Sequence, residues 1–202
     1  MDKIDFDKEY YLCLRENNDN YPLLAWDDEK NPKNIDSSIF AISEPIFDVN
    51  FVINLKLGAP VPDKPELVDY HYMPPDVFSK KIADVLDEMD LFNAQLLPAQ
   101  ILVDKKLYKN YSIFHIYKEI MCLHRERSDI DIEEGVIEVN SFSIDEVVLD
   151  KYKLEYRLVF MLGESPNLKL YHQSVVDKIL GTNPKGLRFI RVDEWNIGSS
   201  FR

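Results

Sequence analysis

The sequence predicts an α+β fold, mostly β-strand, built on two strand–helix–strand units. Three observations lead there. Short runs of aromatic and β-branched residues recur along the chain, separated by Asn/Asp-rich and Pro-rich stretches. Helical period is clear in only two segments. The second of these repeats the arrangement of the first: residues 168–172 precede 174–181, as residues 68–72 precede 79–86. Each unit then has a return strand, at 94–103 and 187–192. The recurrence reads either as a diverged internal duplication or as two independent uses of a common unit.

In chain order, residues 10–14 form a short apolar strand with aromatic weight. Residues 16–21 are dense in Asn and Asp, a turn by composition. A second short strand covers 23–26, followed by a charged loop at 27–36 around Pro32. Residues 39–42 and 51–57 read as strands. Residues 58–65 hold three prolines and a glycine and connect elements rather than form one.

Pro74, Pro75 and Asp76 then supply a stop and a helix start. Val77, Phe78, Ile82, Val85, Leu86 and Met89 fall on one helical face, opposite Lys80, Lys81, Asp84, Asp87 and Glu88. Asp76 or Ser79 is the expected cap. Residues 94–103 are extended, and Pro98 places them on a sheet edge or at a bulge. Residues 111–123 favour strand. Residues 129–133 alternate acids with Ile130 and Ile132, the pattern of an edge strand with one wet face. Strands at 136–149 and 154–162 flank a turn at Asp150 and Lys151. The last helix closes on Gly181, where a left-handed residue is favoured.

At 202 residues with 46% hydrophobic and 12% aromatic content, the chain can bury a core and is not disordered. One domain over 1–202 is expected, with candidate sub-units at 1–110 and 111–202. No apolar run reaches the roughly 18–20 residues of a membrane span. Residues 1–5 lack the basic start and apolar stretch of a signal peptide. Cys13 and Cys122, the two cysteines, read as reduced thiols of a cytoplasmic protein.

The charge is polarised. Residues 126–150 hold nine carboxylates against one base, Arg127, while 151–202 hold nine Lys/Arg against five Asp/Glu; the whole chain is −12. Such a chain repels nucleic acid and anionic membrane and attracts a cationic surface. The expected partner is therefore a basic protein, with no nucleic acid and no membrane; oligomeric state is left open.

Catalytic and metal signatures are absent from the sequence. Cys122, His124 and His115 lack the further ligands that zinc spacing needs. Residues 129–140 resemble a calcium loop only briefly: Gly135 comes one place late, and Asn140 stands where Glu is required. No nucleophile elbow and no Gly-rich phosphate loop occur. No catalytic residue, metal or cofactor is expected. Three further groupings have a functional and a bland reading. His71 and His172, each at a strand end before a helix, either face a common cleft or are polar strand ends. Trp26 beside Asp27 and Asp28 is either an interface centre for Lys and Arg or a core anchor. The acidic stretch, with Asp129, Asp131, Glu133 and Glu134 at its heart, is either a contact surface or a solvated face.

From Ser79 onward the chain resembles a bacterial family of polymorphic-toxin immunity proteins, the eleventh family of that classification and formerly a domain of unknown function. The resembling pieces are residues 79–86, 97–101, Tyr108 with Asn110 and Tyr111, 123–128, 156–160, 168–180 and 185–189. They stand in the family's order and cover about residues 65–192. Where the family often has an acid near residues 123–128, this chain has His124, so no contact role is carried over there. The resemblance implies a small cytoplasmic protein that binds and neutralises a toxin encoded beside it, and it brings no catalytic residues. It agrees with the charge, because a carboxylate-rich inhibitor suits a basic toxin. The alternative is a small-molecule-binding domain or enzyme that uses a cleft between the two strand–helix–strand units.

Overall fold

Two mixed sheets and a separate hairpin organise the chain, seen in a computed structural model that describes residues 5–47, 50–72, 75–133 and 135–201. The first half contains α1 (Phe6–Glu9), β1 (Tyr10–Arg15), β2 (Leu24–Trp26), β3 (Ile53–Leu57), β4 (Tyr70–His71), β5 (Asp76–Ser79), α2 (Lys80–Asp87) and β6 (Ala94–Val103). Then follow β7 (Lys106–Ile116), β8 (Glu119–Ile120), β9 (Asp129–Glu133), β10 (Val136–Ser141) and α3 (Glu146–Leu149). The chain closes with β11 (Val159–Leu162), β12 (Ser165–His172), α4 (Gln173–Gly181) and β13 (Leu187–Arg191). The mostly-strand α+β expectation matches this inventory.

One sheet has the order β13-β1-β12-β11-β8, the other β2-β3-β6-β7-β5-β4, and β9 and β10 form a two-stranded sheet. Within the second sheet, β5 and β6 are both antiparallel to β7, so they run parallel to each other with α2 as their crossover. Within the first, β12 and β13 are both antiparallel to β1, with α4 as their crossover. The second predicted unit is thus a split β-α-β with an antiparallel strand in its centre. The first has the same form, but its leading strand is β5 rather than the expected 68–72, where β4 pairs alongside β5 at the end of the sheet. The wiring differs. The central strand follows its unit in one case (β7) and comes from the start of the chain in the other (β1).

Burial explains the stacking. Ile82 and Leu86 of α2 and Val175, Val176 and Ile179 of α4 share a middle core with Phe78 and Phe114 of one sheet and Val159 and Tyr171 of the other. The outer face of the first sheet buries Tyr10, Leu12, Phe160 and Leu170, with Val139 of β10 and Ile144 in the same cluster. The outer face of the second buries Trp26, Ile53, Leu55, Val77 and Ile113.

Several local expectations give way to tertiary pairing. Val77 and Phe78 are strand, not helix: Phe78 pairs with Tyr70 on one side and Ser112 on the other. Val77 enters the outer core and Phe78 the middle one, a period of two rather than 3.6. The helix therefore starts at Lys80 with Ser79 as N-cap, although the Ser79 hydroxyl donates to Asp69 Oδ1 at 2.7 Å instead of capping. Pro74 lies outside the described residues.

Residues 37–41 form a 3-10 turn, not a strand, because Asp36 Oδ1 accepts the Ser38 amide at 2.8 Å. The strand expected over 136–149 ends at Ser141, and Asp145 Oδ1 caps α3 by accepting the Val147 and Val148 amides. Residues 154–156 are a 3-10 turn, so β11 begins only at Val159. Residues 110 and 111 both lie inside β7, and β1 sits between β12 and β13.

Candidate functional site

The acidic stretch folds as the β9–β10 hairpin. Strand alternation sorts its side chains. Ile130 pairs with Val139 and Ile132 with Ile137, and this side leans on the outer core of the first sheet. Asp129, Asp131, Glu133 and Glu138 are exposed. Asp131 stands directly opposite Glu138 in the register. Among the described residues, no Lys or Arg lies within ion-pair distance of these four carboxylates. The Asn140 amide donates to Asp131 Oδ2 at 2.8 Å. Ile132, near the hairpin tip, is 60% exposed. Arg127 is turned elsewhere, gripping Glu146 with two hydrogen bonds at 2.8 and 2.6 Å. Glu134 lies outside the described residues.

The second predicted surface is not assembled. Trp26 is buried in an outer core, edge-on to Phe40. Asp27 is also buried: its Oδ1 accepts the Glu29 amide at 3.2 Å, and its carbonyl closes the turn onto Lys30 and Asn31. Neither presents a surface to a partner, and only Asp28 of the three is exposed. The physical reason is that β2 pairs with β3 at Trp26–Leu55, which turns the indole inward.

His71 and His172 do not share a cleft. The Val68 amide donates to His71 Nε2 at 3.2 Å, and Nδ1 donates to the Pro22 carbonyl at 3.0 Å. Burial pushes this imidazole down to about 4, so it is neutral near neutral pH. His172 is the N-cap of α4, its Nδ1 accepting the Ser174 amide at 3.2 Å. Burial lowers its affinity for a proton as well, and His115 likewise. His115 binds the Glu44 carbonyl through Nε2 at 2.9 Å. Among the described residues, no group of three or more His, Cys, Asp or Glu is placed to hold a metal.

What the two units do bring together is the residue before each histidine. Tyr70 Oη donates to Asp76 Oδ1 at 2.9 Å, and Tyr171 Oη donates to Asp76 Oδ2 at 3.3 Å. Lys169 Nζ binds the same Oδ2 at 2.8 Å. Asp76 is only 2% exposed, so its charge is held by three donors rather than by water. Burial and the Asp76 charge push both phenols well above their ordinary range, which keeps them protonated as donors.

Beside this cluster lies a cavity of about 350 Å³, at the junction of β1, β12 and the β4–β5 corner. Its walls include Cys13, Arg15, Tyr72, Asp76, Lys169 and Trp195. No local signal marks these residues: read along the chain, Asp76 is a helix cap and Lys169 a strand residue. A scan of protein-family models and a search of curated proteins give no match to this chain.

Proposed function

We propose that this chain is an immunity protein, which binds a basic bacterial toxin in the cytoplasm and blocks it by occupancy, with no turnover of its own. One observation carries the reading: Asp131 faces Glu138 across the β9–β10 ladder with no cation within ion-pair distance among the described residues. Like charges opposite each other destabilise a strand pair. A cationic partner turns that cost into attraction, since it neutralises both groups on contact and is steered towards them beforehand. The apolar side of the hairpin is anchored on the body, so the acidic side is held out rather than free to collapse. The resemblance from Ser79 onward supports the same reading.

The test is co-expression with the toxin domain encoded beside this gene. Growth arrest by that domain alone, relieved when this chain is present, with a stoichiometric complex that weakens as salt rises, is the expected result. Failure to form a complex would overturn the reading. Unchanged protection when Asp129, Asp131, Glu133 and Glu138 are all replaced by their amides would leave the immunity role standing and remove the acidic hairpin as its contact surface.

A further inference from the structure

The cavity at the sheet junction has a structural origin. β1 pairs with β12 only over Tyr10–His172, Tyr11–Tyr171 and Leu12–Leu170, whereas it stays paired with β13 out to Arg15–Leu187. Beyond Leu12 the two strands therefore part. Cys13, Leu14 and Arg15 wall the gap on one side, and Asn167, Leu168 and Lys169 on the other. Tyr72 and Trp195 add aromatic surface. The result is a slot with apolar flanks, of the volume range in which small ligands bind.

Its charge runs against that of the molecule. The lining carries two cations, Arg15 and Lys169, and one carboxylate, Asp76, in a chain of net charge −12. Asp76 is already occupied by Tyr70, Tyr171 and Lys169. Lys169 is thereby held at the wall, with two of its three ammonium protons not committed to Asp76. Arg15 is held as well: its Nη2 donates to the Tyr21 carbonyl and, at 3.4 Å, to that of Asn18. Among the described residues, no carboxylate lies within ion-pair distance of Arg15. Both cations are thus fixed before any ligand arrives, which lowers the ordering cost of binding.

We propose that this slot binds a small aromatic carboxylate. The carboxylate takes the free N–H groups of Arg15 and Lys169, and the ring lies between the parted strands against Tyr72 and Trp195. The site is separate from the acidic hairpin and does not depend on its role.

The experiment is an amide-proton NMR titration of the full chain with indole-3-propionate, alongside tryptamine, which carries the same ring and a cation. Saturable shifts clustered at Cys13, Arg15, Tyr72, Lys169 and Trp195 are expected for the carboxylate, with tryptamine at least about ten-fold weaker. Arg15→Gln should weaken the carboxylate about ten-fold, the worth of one charge-assisted hydrogen bond. Tyr72→Ala, at an exposed position, should weaken both compounds several-fold while leaving the melting curve in place, so the test survives if the arginine variant misfolds. Absence of saturable shifts, shifts centred elsewhere, or equal binding of tryptamine would overturn the proposal.

Discussion

Asp76 and Lys169 stand at matching places in the two split units, each three residues before a helix N-cap, and their side chains meet at 2.8 Å. The N-caps themselves, Ser79 and His172, share nearly the same backbone, with φ −65° in both and ψ of 158° and 149°. Phe78 and Tyr171 are likewise equivalent, one residue before each cap, and both enter the middle core. The units are therefore joined by opposite charges at one equivalent position.

That ion pair is buried on the Asp76 side, so its partners are not independent. Lys169→Met should destabilise the fold by about 3–5 kcal/mol, because it strands a buried carboxylate. The double change Asp76→Asn with Lys169→Met should cost far less, since no charge is left buried, the amide Oδ1 still accepts from Tyr70, and Nδ2 in the place of Oδ2 can donate to the Tyr171 hydroxyl. Urea unfolding of the four forms measures the coupling; strictly additive effects would show that the pair acts as two separate surface-like groups.

Gly186 has φ +89°, and an added Cβ would come within 2.4 Å of Val68 Cγ2 and 3.1 Å of the Tyr70 carbonyl. Its own carbonyl accepts the Glu16 amide, fixing the entry to β13. Gly186→Ala should therefore cost on the order of 1–3 kcal/mol from backbone conformation, with steric displacement adding to it. Gly181, where an added methyl group would meet nothing within 4 Å, is the control: Gly181→Ala should be nearly silent. Thermal melts of the two variants compare them directly.

His71 makes stability depend on pH in a defined sense. Its folded value is about 4, against 6.5 for the unfolded chain. The unfolded state binds the extra proton first as pH falls, so stability is full above about 6.5 and is lost progressively towards 4. The loss is on the order of 3 kcal/mol across that window, at about 1.4 kcal/mol per unit. The proton would enter at Nε2, the atom that accepts the Val68 amide. His71→Gln should flatten the slope in denaturant titrations at pH 4, 5, 6 and 7 (roughly the window of the shift). His115 and His172 add to the same direction, so the slope should shrink and not vanish.

Neutralising the hairpin separates a contact surface from a solvated face. Asp129, Asp131, Glu133 and Glu134 changed to Asn or Gln should slow association with the toxin by about ten-fold or more at low salt, and little at high salt. Glu138→Gln alone should raise the unfolding midpoint, because it removes the charge opposite Asp131. Stopped-flow rates at two ionic strengths decide the first point. Matching rates for variant and wild type at both would make the acidic face a solubility feature.

The class of fold, and the elements whose signal is local, were legible in the order of residues. The strand at β1, the long strand β6, the two main helices and the alternation of β9 all belong here, because side-chain period is written in consecutive residues. So does the charge imbalance that marks the hairpin. Other positions were settled only by packing. Pairing on two sides drew Val77 and Phe78 into a strand, and β3 turned Trp26 inward. β1 came to lie between two strands from the other end of the chain, and Asp76 met Lys169 across 93 residues of sequence. The strand-to-strand hydrogen bonds and buried charge pair that fix these positions depend on which segments become neighbours, and no window of adjacent residues carries that information.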